Sequence, residues 1–362
     1  MLSKPLSVKG IDLHSNRFTV SHLYGGKINR QTYHVRTGMD AFQKTLHKED
    51  VIVVEASTNT FAFVRCIKDL VKEVLIVHPH SLRIIFDTHK KTDRVDADKL
   101  AKAGLYHVIV DRKHLPLVYM PDEQVIELRS LFTTYKLLQE QITSLTNRIH
   151  SILKSILIPG NELKITGKKV KEEILRMEMA ETYRMQIGLL YEQLELLENQ
   201  KEKIAEKILG YAGYCEEEIR IICSLTGVSL LTALALKADY ADINRFANVK
   251  QFCSYLRTAP CVDKSNDTVK IGSINKRSRK LSLGFILQGL HHYVKKNEYV
   301  KSYQEKKKQG KHPGKVRIAI ARKMLTALYF MLKRKELYRQ VDQKIYQRKL
   351  KELEEIISQK AA

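Results

Sequence analysis

The sequence predicts three successive kinds of structure: an α/β domain with a mixed sheet, a long helical hairpin and a mainly α-helical C-terminal domain. Two observations carry this prediction. The first 80 residues contain short stretches in which apolar residues alternate with polar ones, and others that are entirely apolar. Both patterns are typical of strands. From Leu128 onward, apolar residues recur at spacings of three and four, which is typical of helices that pack through one face. With 362 residues, 44% of them hydrophobic, the chain is long enough for two or three separate cores.

The N-terminal domain, residues 1–110, is predicted to contain five strands. Alternating stretches between residues 7 and 36, with Gly25-Gly26 between the second and third, indicate an antiparallel meander. The elements that follow are a helix near 38–47, an apolar strand at 51–54, a helix at about 59–72 and an apolar strand at 74–78. Strands without polar alternation are buried on both faces, so helices must cover this sheet. Three strands, helix, strand, helix, strand is the order of a ribonuclease-H-like domain.

Residues 111–215 are predicted to form a coiled-coil hairpin. Its first arm carries an apolar seam: Leu128, Leu131, Tyr135, Leu138, Ile142, Leu145, Ile149 and Ile152. Pro159-Gly160 ends this arm, and the second arm carries the seam Ile187, Leu190, Leu194, Leu197, Ile204 and Ile208. Such a seam packs either against the other arm of the same hairpin or against a second copy of the chain, and both interpretations stay open.

The net charge predicts an anionic partner. The chain has 63 Lys plus Arg against 40 Asp plus Glu, a formal charge of +23. Between residues 262 and 349 there are 24 basic and 6 acidic residues, so one quarter of the chain carries most of the excess. Such a concentration is typical of nucleic-acid binding, because each neutralised phosphate releases counterions. A solvated helix surface or a membrane-surface patch is the alternative interpretation.

The C-terminal domain is predicted to span residues 216–350, with a tail at 351–362. Near its start lies Leu-Thr-Gly-Val-Ser at 225–229, which is typical of a helix-hairpin-helix turn whose backbone N–H groups bind a phosphate. Ser229 replaces the usual second glycine, and two small core helices without a ligand are the alternative. A loop or short hairpin at 262–280 and helices at 281–296 and 314–337 complete the domain.

Cysteine usage and the N-terminus indicate a cytoplasmic protein, and the predicted binding of nucleic acid would make it nucleoid-associated. The five cysteines form no Cys-x-x-Cys pair and have no histidine spacing suited to zinc, so all five are expected to be buried thiols in a reducing compartment. The N-terminus lacks an apolar signal core, and no stretch approaches 18 uninterrupted apolar residues. No Gly-x-x-x-x-Gly-Lys-Ser/Thr loop is present, so no use of ATP is predicted.

Four carboxylates in the first hundred residues are the candidate metal ligands: Asp12, Glu55, Asp93 and Asp96. Asp12 and Glu55 lie in or end predicted strands, and acids that face one sheet edge can hold hard metal ions. A pair of such ions about 4 Å apart clamps a phosphodiester. Asp93 and Asp96 have an alternative role, since two acids in the first turn of a helix also complement its dipole. Asp98, two residues further on, is predicted to face solvent.

Several ordered motifs together resemble one family. They are Gly-Ile-Asp-Leu-His-Ser-Asn at 10–16, Val-Val-Glu-Ala-Ser at 53–57, Lys-Thr-Asp-Arg-Val-Asp-Ala-Asp-Lys-Leu-Ala at 91–101, Leu-Thr-Gly-Val-Ser at 225–229 and Ile-Gly-Ser-Ile-Asn-Lys-Arg-Ser at 271–278. The set resembles the DEDD transposases of insertion-sequence family 110, which include the Piv DNA invertases. The resemblance covers essentially the whole chain, and Lys-Thr-Asp-x-x-Asp-Ala at this distance from the earlier acids is its most specific part.

The resemblance implies an activity and partners. The four acids would form a RuvC-like magnesium site, in which manganese is a possible substitute. A serine of the C-terminal domain would attack DNA and become joined to a 5′ phosphate. A noncoding bridge RNA would pair with target and donor DNA, and the protein would act as a tetramer, a dimer of dimers. Alignment of the motif at 271–277 with the family pattern places Ser265 at the nucleophile position, with Ser273 as the second candidate. A surface-turn serine that caps its own backbone is the alternative for both.

The basic residues near the serine loop are the candidate nucleic-acid contacts. They are Lys276, Arg277, Arg279, Lys280, Lys306, Lys307, Lys308, Lys311, Arg317, Arg322 and Lys323. The run from Lys306 to His312 is predicted to lie between helices, where it would suit a phosphate contact. Tyr293, Tyr299 and Tyr303 are candidates for stacking on unpaired bases, with core packing as the alternative.

Three functions remain open at this point: a serine-dependent transposase or recombinase, a RuvC-like structure-specific endonuclease that activates water, and a noncatalytic nucleic-acid-binding scaffold. The first is favoured because both the acids and the C-terminal motif resemble the same family. Target and donor sequences are not readable from the side chains.

Overall fold

The computed structural model describes residues 6–79, 92–158, 165–265, 268–274 and 281–361. The chain divides into two compact units, Met1–Met120 and Pro121–Ala362. The first contains a five-stranded mixed sheet with helices, and the second is mostly helical. The finer divisions at residues 215 and 350 stay predictions.

The sheet of the first unit confirms the predicted strands. These are β1 (Ser7–Leu13), β2 (Arg17–Tyr24), β3 (Lys27–His34), β4 (Asp50–Glu55) and β5 (Glu73–Val77). Their spatial order is β3-β2-β1-β4-β5. The first three strands form an antiparallel meander, whereas β4 runs parallel to both β1 and β5. Gly25 and Gly26 both have positive φ, as a two-residue hairpin turn of the primed type requires.

Helices lie on both faces of this sheet: α1 (Met39–Gln43), α2 (Thr60–Ile67) and α3 (Asp93–Ile109). The helices α1 and α2 are shorter than predicted, because the backbone after each one tightens into i→i+3 turns. Ile11 and Val54 point into the core with Phe18, Phe42 and Phe63, on the face covered by α2.

The opposite face of the sheet packs directly against α3. A Cβ atom on Gly10 would collide with the backbone of Ala97 and Ala101, and one on Gly104 would collide with the side chain of Val53. The two glycines therefore let the helix approach β1 and β4 closely, which places the first turn of α3 near the ends of those strands.

The second unit begins with two long helices that pack on each other. They are α4 (Glu123–Ser155) and α6 (Glu181–Leu209), with the short α5 (Lys168–Arg176) between them. The C-terminal half of the seam on α4 is buried within the chain. There Ile142, Ile149 and Ile152 pack in one cluster with Ile187 and Leu194 of α6. This packing favours the intrachain interpretation of the seam. Pro159-Gly160 lies outside the described residues.

The rest of the second unit forms one core around the helix Pro313–Arg334. Its elements are α7 (Glu216–Cys223), α8 (Leu230–Tyr240), α9 (Val249–Tyr255), β6 (Pro260–Ser265), β7 (Thr268–Ile274), α10 (Leu281–Lys295), α11 (Glu298–Lys308), α12 (Pro313–Arg334) and α13 (Gln343–Ala361). Ile320, Met324 and Leu328 of α12 are buried in the core. Strands β6 and β7 form the short hairpin that was one of the two predictions for this segment. Helix α13 continues through the segment predicted as a tail.

The Leu-Thr-Gly-Val-Ser turn is packed rather than open. Gly227 has φ of +86°, and a Cβ atom on it would collide with the backbone of Gly289 in α10. Leu225 and Val228 are buried, and Ser229 caps α8 by accepting a hydrogen bond from the backbone N–H of Thr232. These contacts favour the interpretation as core helices over that as a phosphate-binding turn.

The prediction that all five cysteines are buried is wrong for two of them. Cys215, Cys223 and Cys253 are buried, but Cys66 and Cys261 are exposed. Cys66 lies on the outer face of the short helix α2 and Cys261 on a two-stranded hairpin, so neither position can be enclosed by a core. Among the described residues, the structure contains no helix long and apolar enough to span a membrane.

Candidate metal centre and basic surface

Two of the four acids are brought together by strand register. In the parallel pair of β1 and β4, Ile11 lies opposite Val54, so the next residues along the two strands are Asp12 and Glu55. Side chains alternate between faces along a strand, and Ile11 and Val54 point away from α3. Asp12 and Glu55 therefore lie on the α3 side of the sheet, at its carboxyl edge.

The other two acids lie in the first turn of α3. Thr92 caps this helix by accepting a hydrogen bond from the backbone N–H of Val95. This cap fixes where the helix begins, and Asp93 and Asp96 follow it directly. Both acids complement the helix dipole, as the alternative interpretation held, but that role does not exclude metal binding.

A third residue type joins the acids. Nε2 of His14 lies 3.2 Å from Oδ2 of Asp12 and 3.5 Å from Oδ1 of Asp93. One ligand atom from each of Asp12, His14 and Asp93 lies within 4.8 Å of the other two. Asp96 is ion-paired with Lys99 at 3.2 Å, in the same turn of helix. His14 was not among the predicted ligands, although it lies only two residues from Asp12, directly after the end of β1.

The electrostatics of the cluster suit a cation. Burial raises the pKa of Asp12, and the neighbouring charges of Asp93 and Asp96 raise it further, while His14 acts in the opposite direction. The repulsion among the carboxylates would be relieved by a positive ion between them. Carboxylate oxygens and an imidazole nitrogen are ligands for divalent cations, so the residues present fit such an ion.

The prediction that Asp98 faces solvent is wrong. Its carboxylate accepts hydrogen bonds from Oγ of Ser21 at 2.5 Å and from the guanidinium of Arg30 at 2.7 Å. These bonds hold the pKa of Asp98 below its usual range, with the Arg30 bond as the main cause. Asp98 does point away from the cluster of Asp12, His14 and Asp93, but it points at β2 and β3, because α3 lies across the sheet.

The two candidate nucleophiles lie on the β6–β7 hairpin in the second unit. Ser265 is the last residue of β6 and pairs with Thr268 across the turn. Ser273 lies in β7 and is exposed. The placement of a serine at a hairpin turn is consistent with either a nucleophile or a capping role.

The basic candidates lie on the second unit, partly where they were not expected. Lys276, Arg277, Arg279 and Lys280 lie outside the described residues. Lys306, Lys307 and Lys308 occupy the last turn of α11 instead of a connection between helices, because basic residues complement the negative end of a helix dipole. Lys311 is exposed in the connection that follows. Arg317, Arg322 and Lys323 belong to α12, and Arg317 donates to the carbonyl of Leu287 at 3.1 Å.

The three tyrosines differ in environment. Tyr293 is buried and its ring lies 6.2 Å from that of Tyr338, so it is a core residue. Tyr303 is partly buried against the core, whereas Tyr299 is 64% exposed. Only Tyr299 therefore offers most of its ring to a ligand.

Comparison with known proteins gives the family. Residues 9–158 match a model of DEDD transposases of the IS110 type, described as "Transposase", and residues 219–305 match the model "Transposase IS116/IS110/IS902 family". The chain is also 22% identical over 347 residues to the transposase for insertion sequence element IS1111A of Coxiella burnetii (strain RSA 493 / Nine Mile phase I), covering 93% of this chain and 92% of that protein. A DEDD transposase implies a divalent metal and DNA substrates, in agreement with the acidic cluster. The two family matches, which together cover more than half of the chain, contain the acids and the serine hairpin respectively, and the chain belongs to the IS110 family of DEDD transposases.

Proposed function

We propose that this transposase cuts and rejoins the DNA of an insertion element with a RuvC-like metal site and a serine nucleophile, and that a bridge RNA guides it. The observation that carries the proposal is the convergence of strand-end and helix-start acids on one edge of the sheet, where Asp12, His14 and Asp93 lie within ligand distance of one another. No single stretch of sequence could supply these groups.

The sheet supports the finer part of this assignment. Its order, β3-β2-β1-β4-β5, combines an antiparallel meander with parallel strands on one side, as a ribonuclease-H-like domain would. Such a fold presents an acid from its first strand and an acid from the neighbouring parallel strand side by side, which are Asp12 and Glu55 here.

Asp12, Glu55, Asp93 and Asp96 would hold the cation, with Mg²⁺ as the preferred ion and Mn²⁺ as a substitute that the nearby His14 also suits. When bound, the metal supplies charge stabilisation at the phosphate and at the leaving oxygen. The carboxylates position the ion, and the close packing of α3 on Gly10 keeps them at a fixed separation.

The serine step conserves bond energy. Oγ of Ser265 attacks the phosphorus, the bond between phosphorus and O3′ breaks, and the strand is left with a free 3′ hydroxyl and a 5′-phosphoserine. The serine proton leaves to a base and O3′ takes up a proton. A 3′ hydroxyl of the exchanged strand then attacks the phosphoserine and restores both the phosphodiester and the serine. No ATP is consumed.

Partner binding follows from charge and from exposed apolar residues. The basic C-terminal quarter would bind donor DNA, target DNA and the bridge RNA. Leu137, Met185, Leu189 and Leu196 are more than half exposed on the two long helices. Exposed apolar residues on such a coiled-coil hairpin support assembly with other copies of the chain, as a dimer of dimers.

The test is covalent capture. The protein, together with the RNA that copurifies with it, is incubated with end-labelled element DNA and Mg²⁺, denatured, and separated on a gel that shows protein–DNA adducts. We expect Ser265→Ala to abolish the adduct while Ser273→Ala retains it, and Asp12→Asn to abolish both the adduct and strand cleavage. An adduct that survives in Ser265→Ala but not in Ser273→Ala would assign the role to Ser273.

The alternative function is a RuvC-like endonuclease that hydrolyses DNA with metal-activated water. It is favoured by one fact: every acid of the cluster lies in the first unit, so the cluster assembles without the hairpin. If Ser265→Ala and Ser273→Ala both keep wild-type nicking, this alternative is supported over the serine mechanism. Sequencing of copurifying RNA tests the guide separately, since one discrete species is expected and a random mixture of cellular RNA would contradict it.

A further inference from the structure

We propose that a cavity beside α11 and α12 binds an unpaired nucleotide of a single-stranded nucleic acid, with the base against exposed aromatic rings and the phosphates on adjacent lysines and arginines. The inference deepens the proposed polynucleotide-binding role and rests on it. It adds a location, a ligand conformation and named contacts.

The cavity has a volume of about 420 Å³ and lies where the end of α12 meets the start of α11. Tyr299, Phe330 and Leu337 line it, and these three side chains are 64%, 43% and 45% exposed. Large apolar side chains exposed together in a concave site are typical of ligand binding, and the volume falls within the ordinary range of small-ligand sites.

Positively charged side chains lie beside these aromatic rings. Cζ of Arg334 lies 5.5 Å from the centroid of the Phe330 ring, and Arg339 also lines the cavity. Nζ of Lys323 lies 5.2 Å from the centroid of Tyr299 and donates a hydrogen bond to its hydroxyl at 3.1 Å. Rings and positive charges are therefore interleaved on one surface.

This arrangement continues away from the cavity. Nζ of Lys323 also lies 5.1 Å from the centroid of Tyr303, and Nζ of Lys307 lies 5.4 Å from the same ring. The order Tyr299, Lys323, Tyr303, Lys307 thus defines a track of alternating ring and charge, which we call the aromatic–basic track. A polynucleotide strand has the matching alternation of phosphate and base.

The cavity is held by buried contacts and does not depend on a ligand for its shape. The amide nitrogen of Asn297 donates to the hydroxyl of Tyr338 and to Oε1 of Gln340 at 3.0 Å. Its amide oxygen caps α11 by accepting from the backbone N–H of Val300. Lys335 adopts a left-handed conformation with φ of 55°, which ends α12 and turns the following residues back along the cavity wall.

The chemistry selects single strands over duplexes and over acidic peptides. In a duplex the faces of the bases are stacked on one another, so a ring such as Tyr299 can reach a base face only in an unpaired strand. An acidic peptide would satisfy the lysines but would leave the exposed rings without a planar partner. Glu336, on the cavity wall, can accept a hydrogen bond from a base amino group.

The test is direct binding by the full-length protein in EDTA, where no strand is cut. The probes are fluorescently labelled dT20, its RNA counterpart U20 and a 20-base-pair duplex, measured by anisotropy at fixed salt. We expect Tyr299→Leu, which removes the ring and keeps an apolar side chain, to weaken single-strand binding about tenfold. Duplex binding should change by less than twofold, and Tyr299→Phe should bind like the wild type.

Tyr24→Leu is the matched control, because Tyr24 is another exposed tyrosine, at the end of β2. It should leave binding unchanged. The proposal is overturned if Tyr299→Leu binds single strands normally, if it loses duplex binding equally, or if Tyr24→Leu has the same effect. A larger loss with U20 than with dT20 would indicate RNA as the ligand, and the reverse would indicate DNA. Because EDTA removes divalent metal from every sample, this binding test does not depend on the metal site, so failure of the metal site and failure of this cavity give different results.

Discussion

The negative charge of Asp12 destabilises the folded chain, and a bound cation would offset this destabilisation. Burial raises its pKa, so the charged form is less favourable in the folded chain than in the unfolded one. The penalty develops as the pH rises from the ordinary carboxyl range through the raised pKa of the folded chain. Sequence reasoning selected the acid because it lies at a strand end, but the cost of its charge depends on contacts with residues about 80 positions away.

Replacing Asp12 by Asn should therefore separate stability from metal binding. We expect the metal-free variant to unfold at the same temperature as the wild type or higher, since a disfavoured charge is removed. Mg²⁺ at 100 times its dissociation constant should stabilise the wild type by about 2.7 kcal/mol and the variant hardly at all. Thermal unfolding with and without Mg²⁺ measures both effects. Asp69→Asn, at an exposed position, should keep the full metal response.

The metal response should also depend on pH. Asp12 must lose its proton to bind a cation, and its pKa is raised, so Mg²⁺ affinity should increase as the pH rises through that value. Isothermal titration at pH 5 and pH 7 would show this increase. Equal affinity at the two pH values would contradict the assignment of Asp12 as a ligand.

The buried ion pair of Lys9 and Asp50 was not predicted from the sequence, because the two residues lie 41 positions apart. Lys9 and Asp50 are ion-paired in the core of the first unit and are 3% and 1% exposed. Burial alone would raise the pKa of Asp50, but hydrogen bonds from Lys9, Ser7 and the backbone N–H of His47 hold it below its usual range. The stability that these bonds contribute is present above the ordinary carboxyl pKa and is lost as the pH falls through the lower folded value.

Lys9→Met should cost about 3–5 kcal/mol at pH 7, because it leaves the carboxylate of Asp50 buried without its partner. The deficit should be smaller at pH 4, where protonation of Asp50 removes the uncompensated charge. Urea unfolding at the two pH values measures the difference. The double variant Lys9→Met, Asp50→Leu should recover much of the loss, and an equal loss in the single and double variants would contradict the explanation.

At the scale of elements, the positions of the strands were predicted better than the lengths of the helices or the contacts that the helices and turns make. Alternating polar and apolar residues predicted the three strands of the meander, and continuous apolar runs, typical of strands buried on both faces, predicted β4 and β5. The role of the turn at Gly227 was harder to predict from the sequence. Its glycine is needed for contact with Gly289, which is 62 residues away and belongs to α10. Glycine in a sequence indicates a special position, but it does not say which neighbour requires it.

Two glycines of α10 should respond to alanine with opposite signs. A Cβ atom on Gly284 would meet open space, so Gly284→Ala should stabilise the helix by up to about 1 kcal/mol. A Cβ atom on Gly289 would collide with the carbonyl oxygen of Gly227, so Gly289→Ala should destabilise the protein by about 1–3 kcal/mol or more. Chemical denaturation of both variants measures the contrast. Stabilisation by both substitutions would show that α10 does not pack on the turn as described.

For the whole molecule, the charge distribution follows from the sequence alone, but it is not specific about which surface binds a ligand. The excess of 24 basic over 6 acidic residues between 262 and 349 is independent of fold. Which of these residues can reach a ligand depends on the fold: Lys307 and Lys323 lie on aromatic rings, whereas Lys349 is half-buried and donates to the carbonyl of Cys223 at 2.8 Å.

If nucleic acid binds mainly through this region, the position of a charge should matter more than the total. Replacing Lys306, Lys307 and Lys308 together by Gln should weaken duplex DNA binding and reduce the slope of log affinity against log salt by about 1 for each phosphate that is no longer neutralised. The matched control replaces Lys136, Lys203 and Lys207, on α4 and α6, by Gln, which gives the same net charge. Its salt slope should stay near that of the wild type. Equal losses in the two triple variants would mean that the overall charge of the molecule, and no defined surface, holds the DNA.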